Sequence, residues 1–534
     1  MPFALFSLAA VIGVVALMRF IGEHGLKLIG LAPHSIHLPG PRALPFFGNL
    51  LELRVGHTRT FTRWADRYGP IIRVVIGDRE AVILNTYDAV QRTLNSQGQA
   101  LQGRPETREY HGFFVTAVDH AAPPTLGTSP WSARVSTYRK HLGLQSASNK
   151  RQRYNHFVAR RLHHFVDLLA THASSGPRDL SSLIWTITIG LSAGMCFGTH
   201  IRDSHAREIA HAEIDVFRGP RTLGQPLHAA VPLLDVAQKA LRPAHGLLSS
   251  LGLGTFLDQI VRDENTVKTL RGTEISHVSR LKAELHARVH AGDATPSQLG
   301  DILRTFGGSY TEADEYTVAS SLIGSGMSTG TLLLWLTSFL AARSDIQATA
   351  YAAIEAEYGS APPDPLDTGC VEYITALGTE AGRYFATMRL GFPRETTQDV
   401  EFLPERWCDG HYGRVGQKDA RGDDNASVFH AHGNKVLYGA LILLLHFFRI
   451  ERAELDTQGR KDVFPAYRSS GPVASTEMDP ITDQISECAA QALPRAAGVC
   501  LTPRDPAQLQ HWLAEGHVAM DQFEQPDEDA GLLC

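Results

Sequence analysis

The sequence is short of basic charge, of paired cysteines and of linker. Its 50 Lys and Arg against 56 Asp and Glu leave a net charge of −6, so there is no basic footprint and nucleic acid is disfavoured as a partner. The six cysteines, at 196, 370, 408, 488, 500 and 534, show neither a CxxC pair nor zinc-ligand spacing. That scatter fits a reducing compartment better than a disulfide scaffold. No Pro/Gly/Ser-rich stretch or charge block divides the 534 residues, so a single large, mostly helical unit is the simplest organisation. With 43% hydrophobic and 20% charged residues, material for its core is ample.

One uncharged apolar run stands at the start. Pro2–Met18 is 17 residues long, is closed by Arg19, and as a helix would span about 25 Å, enough for a thin bilayer. A cleaved signal peptide is the competing reading, but it wants a positive segment before the run and a small-x-small site after it, and neither is evident. The expectation is therefore a single N-terminal membrane anchor over residues 1–19, with Arg19, Lys27 and Arg42 placing the body on the cytosolic side. Leu38-Pro39-Gly40-Pro41 and Pro45 stiffen the next stretch, giving a Pro-rich hinge over 20–45, a body over 46–520 and an acidic tail over 521–534.

Within the body, Phe61–Tyr68 reads as an amphipathic helix ending near Gly69-Pro70. The β-branched runs Ile71–Ile76 and Ala81–Leu84 flank Gly77-Asp78 as a hairpin. Residues 155–310 carry helical periodicity, as in Ile275–Val289, without a catalytic constellation. Ala319–Ala342 is a long apolar helix holding Gly324, Gly326 and Gly330. Each glycine costs roughly 1 kcal/mol relative to alanine, which argues for a kink or a close approach. Arg343–Ile354 continues as helix, and the fold class expected is mainly α with small β-sheets (α+β).

The stretch from Thr379 to Trp407 organises the rest. Glu380 and Arg383 stand three apart on one helix face and can pair; alone, such a pair is ordinarily a solvated one, contributing a few tenths of a kcal/mol. Phe402-Leu403-Pro404-Glu405-Arg406-Trp407 then supplies a second arginine in an aromatic, proline-stiffened turn. A carboxylate held between two guanidiniums survives burial because each charge is matched bidentately.

These motifs, Glu380-Ala-Gly-Arg383 followed by Pro404-Glu405-Arg406-Trp407, resemble the ExxR and meander motifs of the cytochrome P450 family, the haem-thiolate monooxygenases. The resemblance implies that Glu380, Arg383 and Arg406 form the triad locking the haem-binding core. It also implies that Arg394, in Phe392-Pro393-Arg394, meets a haem propionate. Tyr138-Arg139-Lys140-His141-Leu142 looks like the family's C helix, so Arg139 is a second propionate candidate; Trp131 falls a turn too early for its usual partner there. Ser325-Gly326-Met327-Ser328-Thr329 resembles the oxygen-activation box, with Thr329 aiding proton delivery and Ser328 standing where the family has an acid. Haem is the cofactor implied, and an NADPH-cytochrome P450 reductase and a small organic substrate are the partners. The setting implied is the endoplasmic reticulum membrane, in fungal secondary metabolism or aromatic catabolism. Leu501-Thr502-Pro503-Arg504-Asp505 and Tyr467–Pro472 resemble the C-terminal sheet of fungal members near the phenylacetate-hydroxylase branch.

The pattern breaks where the family presents its axial cysteine, a loop of the form FxxGxRxCxG before the L helix. Asn434–Tyr438 and Gly439–Ile450 look like that helix, but Phe429-His430-Ala431-His432-Gly433 precedes it, without a cysteine. Placing Gly433 on the loop glycine brings Leu437 to the ligand position, and Cys408 has the wrong surroundings. Only six residues separate Arg394 from Glu401, where the family inserts strands and a short helix. The fold is therefore expected to be a cytochrome P450 fold incomplete near the meander and the cysteine loop, with no assigned metal ligand. His430 and His432 are alternative donors in principle. The alternative function is a catalytically dead relative, or the product of an incomplete gene model, that binds a ligand or partner without oxygen chemistry.

Overall fold

A computed structural model describes residues 38–521 apart from 45–46, 54–55, 78, 96–100, 102, 106–125, 128, 146–151, 219–240, 242, 244, 251–254, 389–423, 456–477 and 486–490. The expected anchor, Arg394, Arg406, Cys408, Tyr467–Pro472 and nearly all of the acidic tail lie outside the described residues, as do the side chains of residues 424–433.

The described residues begin with a small sheet region. Helix α1 (His57–Tyr68) buries His57, Thr60, Phe61 and Trp64, a stripe at helical spacing, and stops at Gly69, whose φ of 104° suits only glycine. Phe61 and Trp64 pack on Ile72 and Val74 of β1 (Ile71–Ile76), which pairs antiparallel with β2 (Arg79–Leu84) from Ile71↔Leu84 to Ile76↔Arg79. The hairpin is where the β-branched runs place it. The described end of the Pro-rich stretch is docked here, since Arg73 N–H donates to the Pro39 carbonyl at 2.9 Å and an added Cβ on Gly40 would meet Arg73 O at 2.0 Å.

Helices then build the body: α2 (Ala133–Gln145), α3 (Asn155–Ala173), α4 (Ser181–Phe197), α5 (Asp203–Arg218), α6 (Thr255–His290), α7 (Gln298–Phe306), α8 (Glu312–Leu340), α9 (Ser344–Tyr358), α10 (Glu372–Phe385) and α11 (Asp424–Phe447). A second antiparallel pair, β3 (Phe448–Ala453) with β4 (Gly498–Pro503), and α12 (Pro506–Asp521) close the chain. The α+β expectation is met: helices dominate, and the sheets are small and two-stranded among the described residues.

The core lies between α4, α8 and α11. Nearly every residue of α4 is buried, so it is an interior helix without a solvent face. α8 lies along it, and here the glycines explain themselves: an added Cβ on Gly326 would sit 2.6 Å from Thr188 O, and one on Gly330 would sit 2.5 Å from Thr188 Oγ1. They are a close approach between two helices. Among the described residues α8 is also the one helix long and apolar enough to cross a membrane, but 67% of its apolar stretch is buried in the protein, which makes it a core helix.

Three boundaries depart from the sequence expectation. α8 starts at Glu312 rather than Ala319 because Thr311 and Asp314 form a reciprocal capping box and Glu312, Asp314 and Glu315 suit the positive helix terminus. Phe448–Ile450 is strand, not the end of a helix: Phe448 and Ile450 are buried, Arg449 is exposed, and that alternation pairs with β4. α11 extends back to Asp424, so helix stands where a loop before Asn434 was expected.

Candidate functional site at the open face of α8

The face of α8 turned away from α4 is its open one. Ser321, Gly324, Ser325, Thr329 and Leu332 are half-buried and Ser328 is exposed, whereas Gly326, Met327, Gly330 and Thr331 between them are buried. Small, hydroxyl-bearing side chains thus line one stripe over about 12 Å, from Ser321 to Thr329. Thr317, Ser321, Ser325, Thr331 and Thr337 return their hydroxyls to carbonyls of the preceding turn, at 3.0, 2.7, 2.6, 2.8 and 2.8 Å. Among the described residues, Ser328 and Thr329 make no such bond, and both lie on the open stripe.

Arg139 reaches this face through one intermediate. Its guanidinium donates to the Leu126 carbonyl at 2.6 and 3.2 Å, and the Leu126 N–H donates to Ser321 Oγ at 2.9 Å. The same guanidinium lies 5.8 Å from the Trp131 ring centre, so Trp131, placed just before α2, still meets this arginine by its face. A residue the sequence did not single out joins it: buried Arg104 donates to the Gly127 carbonyl at 3.0 Å. Two guanidiniums therefore converge on the 126–127 turn beside α8, the kind of cationic edge that suits a carboxylate.

α8 is held in register at its N-terminus. Asp314 is fully buried and accepts from Arg134, from Thr311 N–H at 2.8 Å and from Thr311 Oγ1 at 2.7 Å. Burial alone would push its carboxyl up, but hydrogen bonds from Tyr138, Arg134 and Thr311 outweigh that and hold it below the usual range. Lys282 of α6, itself buried, donates to Glu312 O at 3.0 Å and lies 3.5 Å from Glu315, which His286 also meets at 2.8 Å.

At the other end, the C-terminal segment is latched onto α8 and α10. Trp335 Nε1 donates to the Ala492 carbonyl at 2.7 Å, Gln491 Nε2 to Thr331 Oγ1 at 3.1 Å, and the Ala492 N–H to the Thr387 carbonyl at 2.9 Å. Trp335 also stacks on Phe385 of α10, centres 5.0 Å apart. On the outer face of α10, Glu380 and Arg383 form their pair bidentately, Nε to Oε2 at 2.7 Å, with side chains 59% and 70% exposed. The arginine holds the Glu380 carboxyl below the usual range. The Glu380–Arg383 pair is thus formed and solvent-facing, and Arg406, the third member of the expected triad, lies outside the described residues.

Whether these residues fit a haem differs between the two sides. The α8 face fits its distal side: Gly324, where an added Cβ would meet nothing within 4 Å, and the hydroxyls leave room for a flat group and a small ligand. The proximal side does not fit. The first turns of described side chains in α11 are already engaged: Lys435 Nζ donates to Asn155 Oδ1 at 2.7 Å, Leu437 packs over Gly378 of α10, and the Tyr438 hydroxyl accepts from Val371 N–H at 3.1 Å. Cys196 is wholly buried in α4, where desolvation pushes its thiol up. Cys370 is exposed, and its thiol is raised by a hydrogen bond with Asp367; Cys500 is on β4. Cys370 adjoins Val371, whose N–H meets Tyr438 of α11, but none of the three lies in the segment leading into α11, and no group of three or more metal-ligating side chains occurs among the described residues.

Two grooves elsewhere have other linings. One, of about 310 Å³, lies between α3 and α12 at His163 and Trp512; the other, of about 290 Å³, runs along α1 at Arg59 and Arg63. Neither touches α8.

Comparison with known proteins gives the family. The family model described as Cytochrome P450 matches residues 38–403 and so ends just before Pro404. A 3-hydroxyphenylacetate 6-hydroxylase of Emericella nidulans is 25% identical over 462 residues, covering 78% of this chain and 82% of its own length. A phenylacetate 2-hydroxylase of the same organism is 24% identical over 565 residues, covering 95% and 97%. A cytochrome P450 monooxygenase of Mycosarcoma maydis is 24% identical over 400 residues, covering 73% and 69%.

Proposed function

This chain belongs to the cytochrome P450 family, and on that premise we propose that its chamber receives a small arylacetic acid for ring hydroxylation. Its family chemistry is haem-dependent monooxygenation, with electrons from a redox partner, and the chain stands near the phenylacetate-hydroxylase branch of the fungal members. The observation that carries the proposal is the open α8 stripe, whose small and hydroxyl-bearing side chains leave space for a planar ring. Thr329 holds a proton donor on that stripe, and Ser328 beside it contributes a hydroxyl rather than a carboxylate, so any relay there runs through neutral groups and water. Arg139, Arg104 and Arg394 supply the cationic edge for the propionates, and Glu380, Arg383 and Arg406 would brace the core only where Arg406 closes over the solvent-facing pair. An NADPH-cytochrome P450 reductase is the electron donor of this reading. Pro2–Met18 anchors the chain in the endoplasmic reticulum membrane with the body cytosolic.

One observation favours a second reading, a P450 framework that takes the ligand without oxygen chemistry: the sequence leading into α11, residues 409–433, holds no cysteine. Both readings share the chamber, and the chamber is what the test addresses. Calorimetric titration of the full chain with phenylacetate, 3-hydroxyphenylacetate and hexanoate is expected to show the aryl acids binding at least about ten-fold tighter, ~1.4 kcal/mol. Equal affinities, or no binding of the aryl acids, would remove the substrate proposal.

A further inference from the structure

We infer that this chain carries the distal half of a haem-thiolate site without its proximal cysteine, the sequence from 409 into α11 holding none, so that iron porphyrin held by it has no sulfur at the fifth position. The inference rests on the family reading above and goes beyond it. Its first support is the contrast already drawn between α8, whose face is open and hydroxyl-lined, and α11, which is continuous helix from Asp424 to Phe447 with its described turns committed to Asn155, Gly378 and Val371. Its second is the state of the cysteines. Cys196 is wholly buried in the interior helix α4, Cys370 lies in the turn before α10 and Cys500 sits in a β ladder, so none of the three lies in the segment leading into α11. Residues 409–487 contain no cysteine at all.

The third support comes from outside the geometry. The family match ends at residue 403, and the aligned stretch with the phenylacetate 2-hydroxylase, 565 positions, is longer than this 534-residue chain. The relative therefore has positions without counterparts here. The place where the match ends and the place where the sulfur is wanted fall in one interval, between Leu403 and Asn434.

Two full-length proteins decide the matter: the native chain, and a graft in which residues 404–433 are replaced by the corresponding segment of the phenylacetate 2-hydroxylase. Each is expressed with haem precursor, its haem per chain is measured as the pyridine complex, and the dithionite-reduced form is treated with carbon monoxide. The native chain is expected to lack the red-shifted band that marks sulfur ligation, and the graft to gain it at close to one haem per chain. A thiolate-type band in the native chain overturns the inference, and its loss in Cys408→Ser would locate the sulfur. A graft that is helical by circular dichroism yet lacks the band overturns the distal half of the claim. If the graft does not fold, the native spectrum still decides the claim about sulfur. A graft that gains the band but does not bind phenylacetate leaves this inference standing and removes the substrate proposal instead.

Discussion

α8 and α11 pack against one another in the core, yet they present different chemistry to the space beside them. α8 divides its surface: glycines 326 and 330 let one side press into α4, and Ser321, Ser325, Ser328 and Thr329 face the other way. α11 has no such division where its side chains are described, because Val436–Phe447 is buried almost without interruption. The two helices thus set an open polar stripe beside a sealed apolar face. The difference teaches that α11 is stabilised by packing that needs no ligand, whereas α8 leaves one of its faces unfilled.

The sharpest way to break this comparison is to fill the two sides of α8 separately. Gly330→Val should destabilise by about 3 kcal/mol in urea unfolding, because its side chain would meet Thr188 and Trp185 of an interior helix. Trp335→Phe comes next, at about 1–3 kcal/mol, since it orphans the buried Ala492 carbonyl and weakens the latch of the C-terminal segment. Gly324→Ala should go the other way and stabilise by up to about 1 kcal/mol, because its Cβ meets only open space and alanine is the better helix former. Destabilisation there would mean that the α8 stripe is covered rather than open.

A pH test sharpens the α11 side. Burial holds the His446 imidazole below its usual range. Its neutral form is thus the folded form, so its contribution is fully present above the unfolded value of about 6.5 and is lost as pH falls from there toward the folded value. Melting temperature should drop between about pH 7.5 and 5.5, and His446→Phe should shrink that drop; an unchanged slope would show that the sealed wall admits water. The smallest effect is expected at Glu380→Ala. Its pair with Arg383 is solvent-facing, so the melting temperature should not move measurably. A clear loss would indicate that the pair is covered, as the Glu-Arg-Arg triad requires.

Much of this framework is legible in the sequence wherever partners are close along the chain. The β1–β2 hairpin follows from β-branched runs around Gly77, α1 from its apolar spacing, and the Glu380–Arg383 pair from a three-residue interval. The start of α8 was legible too, since Thr311 and Asp314 spell a capping box, but an apolar-run criterion passes over an acidic first turn. Phe448–Ile450 misleads for the opposite reason: apolar residues continue from helix into strand, and only the pairing with β4 separates them. Arg104 and Gln491 were invisible because their partners are 23 and 160 residues away, and their role exists only once the chain has folded. The glycines of α8 left a kink or a close approach open; Gly326 and Gly330 make the close approach, to α4, while Gly324 faces open space.

The claim on which the account depends is that the stripe from Ser321 to Thr329 is the wall of a ligand chamber. Peptide-resolved maleimide labelling of Ser328→Cys in the full chain tests it directly, with exposed Cys370 as the internal control. The account expects labelling at a rate near that of Cys370 and marked slowing at position 328 alone when phenylacetate is saturating. A position 328 that resists the reagent, or labels equally fast with and without the acid, would contradict it.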